Sequence, residues 1–382
     1  MKNYDSKFPL PKTNFWPTLP DRVVALEDEV ETLSQTPSSI ATIGTSLYST
    51  NPASGIPPNS GNIFLGELAG DPGEEMSNAV YSTFIGPGAG YETYNAYHSN
   101  FIGYQSGKGA LVANNSNFLG LQSGLDATNA EYSNFLGRFA GYQANNAYSS
   151  NFLGAYSGYQ ATDSYNSNFL GQNSGYQSPN AYRSNFFGPS AGSSSDFANN
   201  SNFLGLLAGN NAPYANGSNF LGEQAGQNAT GAAYSNFLGT VAGRSATFSS
   251  YSNFLGFQAG QLAQSGNSNF LGKRAGYNAN NCYASNFLGY LAGEGTSNVY
   301  RSNLFGAEAG MNSTGDNVNA FGYQAHKGGS LSGQTVFANG SLPSYTNRTA
   351  ATTAITVPNG AVAGSTYLYY NQTTFAIEAV RL

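Results

Sequence analysis

Along the middle of the chain one pattern of apolar and polar positions returns at a nearly constant interval. Its unit is Ser-Asn-Phe-Leu-Gly, as in Ser133-Asn134-Phe135-Leu136-Gly137: two polar residues, two large apolar ones and a glycine. Marked by its last glycine, the phrase stands at sixteen places from Gly66 to Gly322, with a first step of 20 residues, two of 16 and twelve of 17. A period this regular is the signature of stacked structural repeats and takes precedence over local propensity. Phe fills the first apolar position in fourteen copies, with Leu304 and Ala320 in the other two, and the second position is Leu, Ile or Phe throughout. Asn precedes the pair in the last fourteen copies, Asn100 to Asn319. Three residues after the marking glycine comes Ala or Ser, as at Ala140, and then a second glycine, as at Gly141, in fifteen copies; His326 takes that place in the last.

Seventeen residues hold either two short strands with two turns, or one helix with a loop. Two glycines per repeat, with abundant Asn and Ser, disfavour helix. The pattern therefore predicts strand-turn-strand: the phrase is one strand, the glycines are corners, and the Ala-rich remainder returns. Glycine is required where the backbone takes positive φ or passes close to a neighbour. Repeats stacked in register place like on like, so the ladder positions of each coil are those of Asn134, Phe135, Leu136, Gly137, Ala140 and Gly141. Asn side chains stacked this way bond to the copies above and below. Phe and Leu are adjacent and so face opposite ways. A strand apolar on both faces is buried on both. One face fills the coil, and the other predicts neighbouring copies of the chain, three around an axis.

The phrase Ser-Asn-Phe-Leu-Gly-x-x-Ala-Gly resembles the head repeats of trimeric autotransporter adhesins, in which an apolar strand ends in Ile-Gly and is followed by x-x-Ser or x-x-Ala. The resemblance covers residues 62–326. It implies a left-handed parallel β-roll within a trimer. Similar repeats occur in tail fibres of bacteriophages and related injection machines. The family's usual repeat is shorter than this one, so the return segment is expected to differ. A coil-on-coil roll competes with the triple β-spiral of some viral fibres, which climbs several times further per repeat; the strict recurrence of small residues favours the roll.

The flanks read differently. Residues 1–18 carry Pro9, Pro11 and Pro17 among Phe8, Phe15 and Trp16, the mark of an extended segment that docks its aromatic residues on a partner. In residues 19–34, Leu19, Val23, Leu26, Val30 and Leu33 follow the alternating four-three spacing of a coiled-coil seam. Arg22 and Glu27 bracket that seam in a pattern that resembles the Arg-h-x-x-h-Glu signature of short three-stranded coils (h apolar), where the two residues pair between chains. Residues 35–61, rich in Ser, Pro, Gly and Thr, read as a linker. From 327 to 382 the repeat gives way to β-type segments. Tyr367-Leu368-Tyr369-Tyr370 and Phe375-Ala376-Ile377-Glu378-Ala379-Val380 read as a hairpin, part of a small β cap or tip in which Tyr367, Tyr369 and Tyr370 are candidates for receptor contact.

Composition narrows the function classes. Charged residues make up 9% of the 382, against a net charge of −6, and nothing favours nucleic acid. Aromatic residues at 14% argue against disorder. A single cysteine, Cys282, excludes an intrachain disulfide. No run reaches membrane-spanning length, residues 1–19 lack the apolar core of a signal peptide, and the chain's end is too short for an outer-membrane barrel. With two distant histidines, His98 and His326, no metal-ligand spacing or catalytic constellation arises and no cofactor is expected. Glu223, Glu294 and Glu308 are the carboxylates available to a polysaccharide-degrading spike, though nothing in their spacing pairs them. The expectation is an all-β, trimeric β-solenoid with a short coiled coil and a small β tip: a virion fibre, not an enzyme. It would attach by its N-terminus to a baseplate, tail or capsid protein and present its tip to a glycan or protein receptor on a host cell. The alternatives are a bacterial surface or secreted trimeric adhesin and, third, a polysaccharide-degrading tailspike.

Overall fold

The computed structural model describes residues 41–43, 46–48, 62–71, 79–330, 332–337, 344–345, 366–371 and 376–381. The docking segment at 1–18 and the heptads at 19–34 lie outside these residues.

Each copy of the phrase forms one three-residue strand. The strands run from β3 (Ile63–Leu65) and β4 (Thr83–Ile85) through β5 (Asn100–Ile102) to β18 (Asn319–Phe321), sixteen in all. Each pairs in parallel with the next, apolar on apolar and, from β5 on, Asn on Asn, as in Asn134↔Asn151, Phe135↔Phe152 and Leu136↔Leu153. The chain is therefore a parallel β-solenoid with one repeat per coil. The stack runs one strand past the last marking glycine: β19 (Thr335–Phe337) continues the register with Asn319↔Thr335 and Phe321↔Phe337.

The interior of each coil is narrow and built from few residue types. Phe135, Ala140, Ala144, Ala147 and Ser133 are fully buried, and the same columns recur along the stack. From Phe101 to Phe287 consecutive rings stand 4.5 to 4.8 Å apart, centroid to centroid, and within 8° of parallel. That is the spacing of neighbouring strands, which settles the coil-on-coil roll against a spiral of longer rise. The serine column at Ser133 is hydrogen-bonded from coil to coil: Ser133 Oγ donates to the Ala147 carbonyl at 2.7 Å and accepts from the Ser150 amide at 3.1 Å.

The return segment is not the second strand the pattern predicts. Beyond the three-residue strand the coil advances by turns, with β-bridges to its neighbours only at isolated points such as Thr128↔Asn145. The cause lies in the backbone. In the coil after Gly137, the non-glycine residues Phe139, Gln143, Asn146 and Ser149 have φ of 57°, 51°, 52° and 56°. Each left-handed residue costs about 1–2 kcal/mol. The compensation is hydrogen bonding, because the turned residues direct their N–H groups at the preceding coil. Phe139, Gln143, Asn146 and Ser149 donate to the carbonyls of Leu121, Leu125, Thr128 and Glu131 at 2.8 to 3.0 Å. Asn134 and Gly141 donate the other way, to Ser150 and Ser157 of the next coil at 2.9 Å. Hydrogen bonds between coils thus surround the stack instead of running along one sheet.

Two glycines make the stacking possible. Gly137 has φ 139°, and a Cβ there would lie 2.6 Å from the backbone of Gly154 in the next coil. Gly141 has φ 63°, and a Cβ there would lie 2.2 Å from the Phe135 ring. The first glycine lets coil approach coil; the second lets the ring lie flat within its own coil.

In the region read as linker, β1 (Ala41–Ile43) and β2 (Ser46–Tyr48) pair antiparallel, and β2 adds to β3 through Tyr48↔Leu65. The first edge of the parallel stack is therefore paired. In the C-terminal piece, β21 (Thr366–Asn371) and β22 (Ala376–Arg381) form an antiparallel pair, with β20 (Ser344–Tyr345) parallel to β21.

Candidate interaction face

Because Phe135 points inward, Asn134 and Leu136 point outward, and every strand from β5 to β17 presents the same outer pair of Asn and an apolar residue. The Asn column is continuous. Nδ2 of each amide donates to Oδ1 of the next from Asn100 to Asn319, at 2.7 to 2.9 Å. An amide carries two N–H donors, so each keeps one beyond the column.

Beside the amides, the outer apolar column lies in an open trough. It has two stretches, about 690 Å³ from Asn100 to Phe187 and about 1120 Å³ from Asn185 to Phe305, which meet at Phe187. No charged residue lines either stretch. The flanking columns are mixed. Two residues before the Asn stand Tyr132 and Tyr234 but also Arg183 and Arg301, and two residues after the Leu stand Leu206 and Phe257 but also Arg138, Glu223 and Lys273. An uncharged apolar strip of this length on a single chain is the mark of an interaction surface.

The predicted ladder residues fall on two sides of the wall. Phe135, Ala140 and Gly141 belong to the interior, Asn134 and Leu136 to the outer face, and Gly137 to the contact between coils. The coil residues Leu19, Arg22, Val23, Leu26, Glu27, Val30 and Leu33 and the docking residues Phe8, Phe15 and Trp16 lie outside the described residues. Tyr367, Tyr369 and Tyr370 stand on β21, in register with Val380, Glu378 and Ile377.

A second surface feature is aromatic. Tyr142, Tyr159 and Tyr176 stack at 4.9 and 5.0 Å, and Tyr148, Tyr165 and Tyr182 do the same. Arg138 lies over Phe139 and Tyr156 and donates to the Tyr156 hydroxyl at 2.8 Å. Burial, reinforced by the neighbouring tyrosines, raises the Tyr159 hydroxyl's pKa. Rings stacked this way cover one another's faces and turn their edges to solvent, a poor platform for stacking on a sugar.

The carboxylates near the C-terminal end of the stack are held by cations. Arg274 pairs with Glu294 at 2.6 Å, and Lys327 with Glu308. Burial pushes the Glu294 carboxyl up against the pull of Arg274, and the charge of Glu308 adds to the rise. Hydrogen bonds from Lys327 and Gln324 hold Glu308 below its usual range. Folding therefore brings Glu294 and Glu308, which no spacing pairs, onto neighbouring coils, while Glu223 lies several coils away. Among the described residues no three His, Cys, Asp or Glu gather as a metal site would require. Cys282 is buried in the coil interior, where desolvation raises its thiol pKa.

Near its C-terminal end the interior column changes size, with Leu304, Ala320 and Val336 following Phe287. Ala320 stands where other coils have Phe, and His326 where they have glycine. The imidazole is buried, Nε2 has no hydrogen-bond partner, and desolvation lowers its pKa.

No protein-family model matches the chain, and a search of curated proteins finds no relative. The fold alone defines its class, a parallel β-solenoid of about sixteen repeats of seventeen residues, consistent with a fibre-like repeat protein.

Proposed function

We propose that the chain is the subunit of a trimeric fibre on a phage or phage-like particle. In this reading residues 1–18 dock on a baseplate, tail or capsid protein, residues 19–34 align three chains, and the solenoid is a stiff spacer. The C-terminal piece caps the shaft and meets a glycan or protein on the host surface through Tyr367, Tyr369 and Tyr370. Three tips acting together would let each contact be weak.

One observation carries the reading: an unbranched, in-register stack leaves one continuous, uncharged apolar face along its length. Such a strip needs cover in water, and sixteen coils at about 4.8 Å give a rod of roughly 75 Å. The resemblance of the repeat to adhesin heads and fibre shafts supports the same assignment. Sedimentation equilibrium of the full chain tests it, with the mass of three 40.0-kDa subunits expected. A well-folded single chain would end it. Deleting residues 1–33 separates the particle fibre from a cell-surface adhesin. Loss of particle incorporation with an intact shaft is expected; unchanged delivery to a bacterial surface would favour the adhesin.

A further inference from the structure

The trough narrows the choice of what covers it. Its lining carries no charge, and its polar groups repeat as one amide per coil. An occupant must therefore be uncharged, apolar and periodic on the pitch of one coil, about 4.8 Å. A second copy of this chain has that chemistry and that pitch. The area is also adequate. The strip is about 60 Å long and three residues, about 10 Å, wide. That is roughly 600 Å² per copy, or about 1,200 Å² in total, at the low end of the range for specific interfaces.

A periodic face brings a difficulty of its own. The outer column is Leu from Leu119 to Leu170 and again from Leu204 to Leu288. Sliding one copy past another by a single coil leaves all those contacts chemically unchanged, and register is weakly specified wherever the pattern is uniform. A fibre whose copies slip cannot bring its ends together.

The column has marks that break this degeneracy. Phe187 is the outer residue of β10 (Asn185–Phe187), 37% exposed, and stands where the two stretches of the trough meet. Near the C-terminal end the apolar pair is reversed. Leu304 goes inside and Phe305 outside, followed by Phe321 and Phe337, whose outer rings contact one another at 5.5 Å. We infer that Phe187, with Phe305, Phe321 and Phe337, fixes the axial register in which copies of this chain associate along the Asn/Leu face. In register, Phe meets Phe on each marked rung. After a slip of one coil, a ring is forced onto a Leu rung, and the rung it left is underfilled. This inference rests on the self-association proposed above.

The test uses the full chain. Leu238→Cys and Leu255→Cys place single thiols on adjacent rungs of the trough. Cys282, buried in the interior, stays out of the exchange. The two variants are co-expressed with tags of different length and oxidised, and the disulfide-linked pairs are separated by size. With the native phenylalanines, 238–238 and 255–255 links are expected, and mixed 238–255 links only as a minor species. With Phe187, Phe305, Phe321 and Phe337 all replaced by Leu, the mixed link is expected to rise about tenfold, equivalent to about 1.4 kcal/mol of lost register preference. Phe187→Leu alone, which installs the commonest residue of the column, is expected to give part of that rise. A mixed link unchanged by the substitutions, or abundant without them, overturns the register role. An unmodified chain that sediments as a single 40.0-kDa subunit overturns the self-association itself, a separate outcome.

Discussion

At the scale of single residues, stability depends on positions where side-chain size is set by the coil above or by the ring alongside. Gly137→Ala puts a Cβ 2.6 Å from the Gly154 backbone at a φ that L-residues avoid. The expected loss is about 2–4 kcal/mol, read as a lower urea midpoint. Arg138→Ala, one residue on and exposed, is expected to stay within about 0.5 kcal/mol. The amide column predicts a smaller effect. Asn202→Ala removes the acceptor of Asn185 and the donor to Asn219. Because these groups are half-exposed in the single chain, the expected loss there is about 1 kcal/mol, and it would be larger in the proposed association, where a neighbouring copy excludes water.

His326 makes the end of the stack sensitive to pH. The unfolded imidazole titrates near 6.5, and burial lowers the folded value. Above about pH 6.5 both states are neutral and nothing changes. Below it the unfolded form takes up the proton first, so the last coil loses stability as pH falls toward the folded value. Hydrogen exchange reads this locally. Protection of the Thr314 and Gly328 amides, which bond to Gly329 and Met311 at 2.8 Å, is expected to drop below pH 6.5. His326→Gln is expected to remove that pH dependence.

At the scale of the element, the unit is the coil, and the coil is what the sequence shows most directly. A period of seventeen, with one apolar pair and two glycines, reports a stack whatever the path of the chain. The path itself was not legible. Asn recurs at two of the left-handed positions, as at Asn129, Asn146 and Asn298 and at Asn115, Asn166 and Asn200, but Phe, Tyr, Arg and Leu also stand at left-handed positions, as at Phe139, Tyr132, Arg183 and Leu207, so residue type alone does not mark the turns. Only the amide bonds they make to the preceding coil show why they turn. The strand β19 was also missed, although Thr335 stands sixteen residues after Asn319, a step the repeat uses elsewhere; no marking glycine follows it. The β1–β2 pair was hidden in a Ser/Thr-rich stretch that composition alone reads as linker. Stability of stacked repeats is close to a sum over units and their interfaces. Deleting residues 206–222, one full coil, is therefore expected to preserve the circular dichroism spectrum and shorten the rod by about 4.8 Å in electron micrographs. Deleting residues 206–213 breaks the register of inward and outward positions and is expected to abolish cooperative unfolding.

At the scale of the whole molecule, the prediction concerns how copies hold together. The trough is uncharged, so the proposed association owes nothing to ion pairs. Raising salt from about 0.1 M to about 1 M shortens the Debye length from about 10 Å to about 3 Å. The sedimenting mass is expected to stay constant across that range; dissociation at high salt would count against the apolar face as the interface.

Periodicity established stacked repeats with like-on-like columns, while the one-coil spacing, which a triple β-spiral would have exceeded, came from the 4.5 to 4.8 Å between consecutive rings. Alternation along the phrase also placed Phe and Leu on opposite sides. Which side was inner, however, followed from the closure of the coil. A small interior lined by Ala, Ser and Gly leaves room for one ring per layer, and that ring is Phe135 and its counterparts. The uncharged trough, with Phe187 where its two stretches meet, emerged only on folding, since it is assembled from residues about seventeen apart that no local segment brings together.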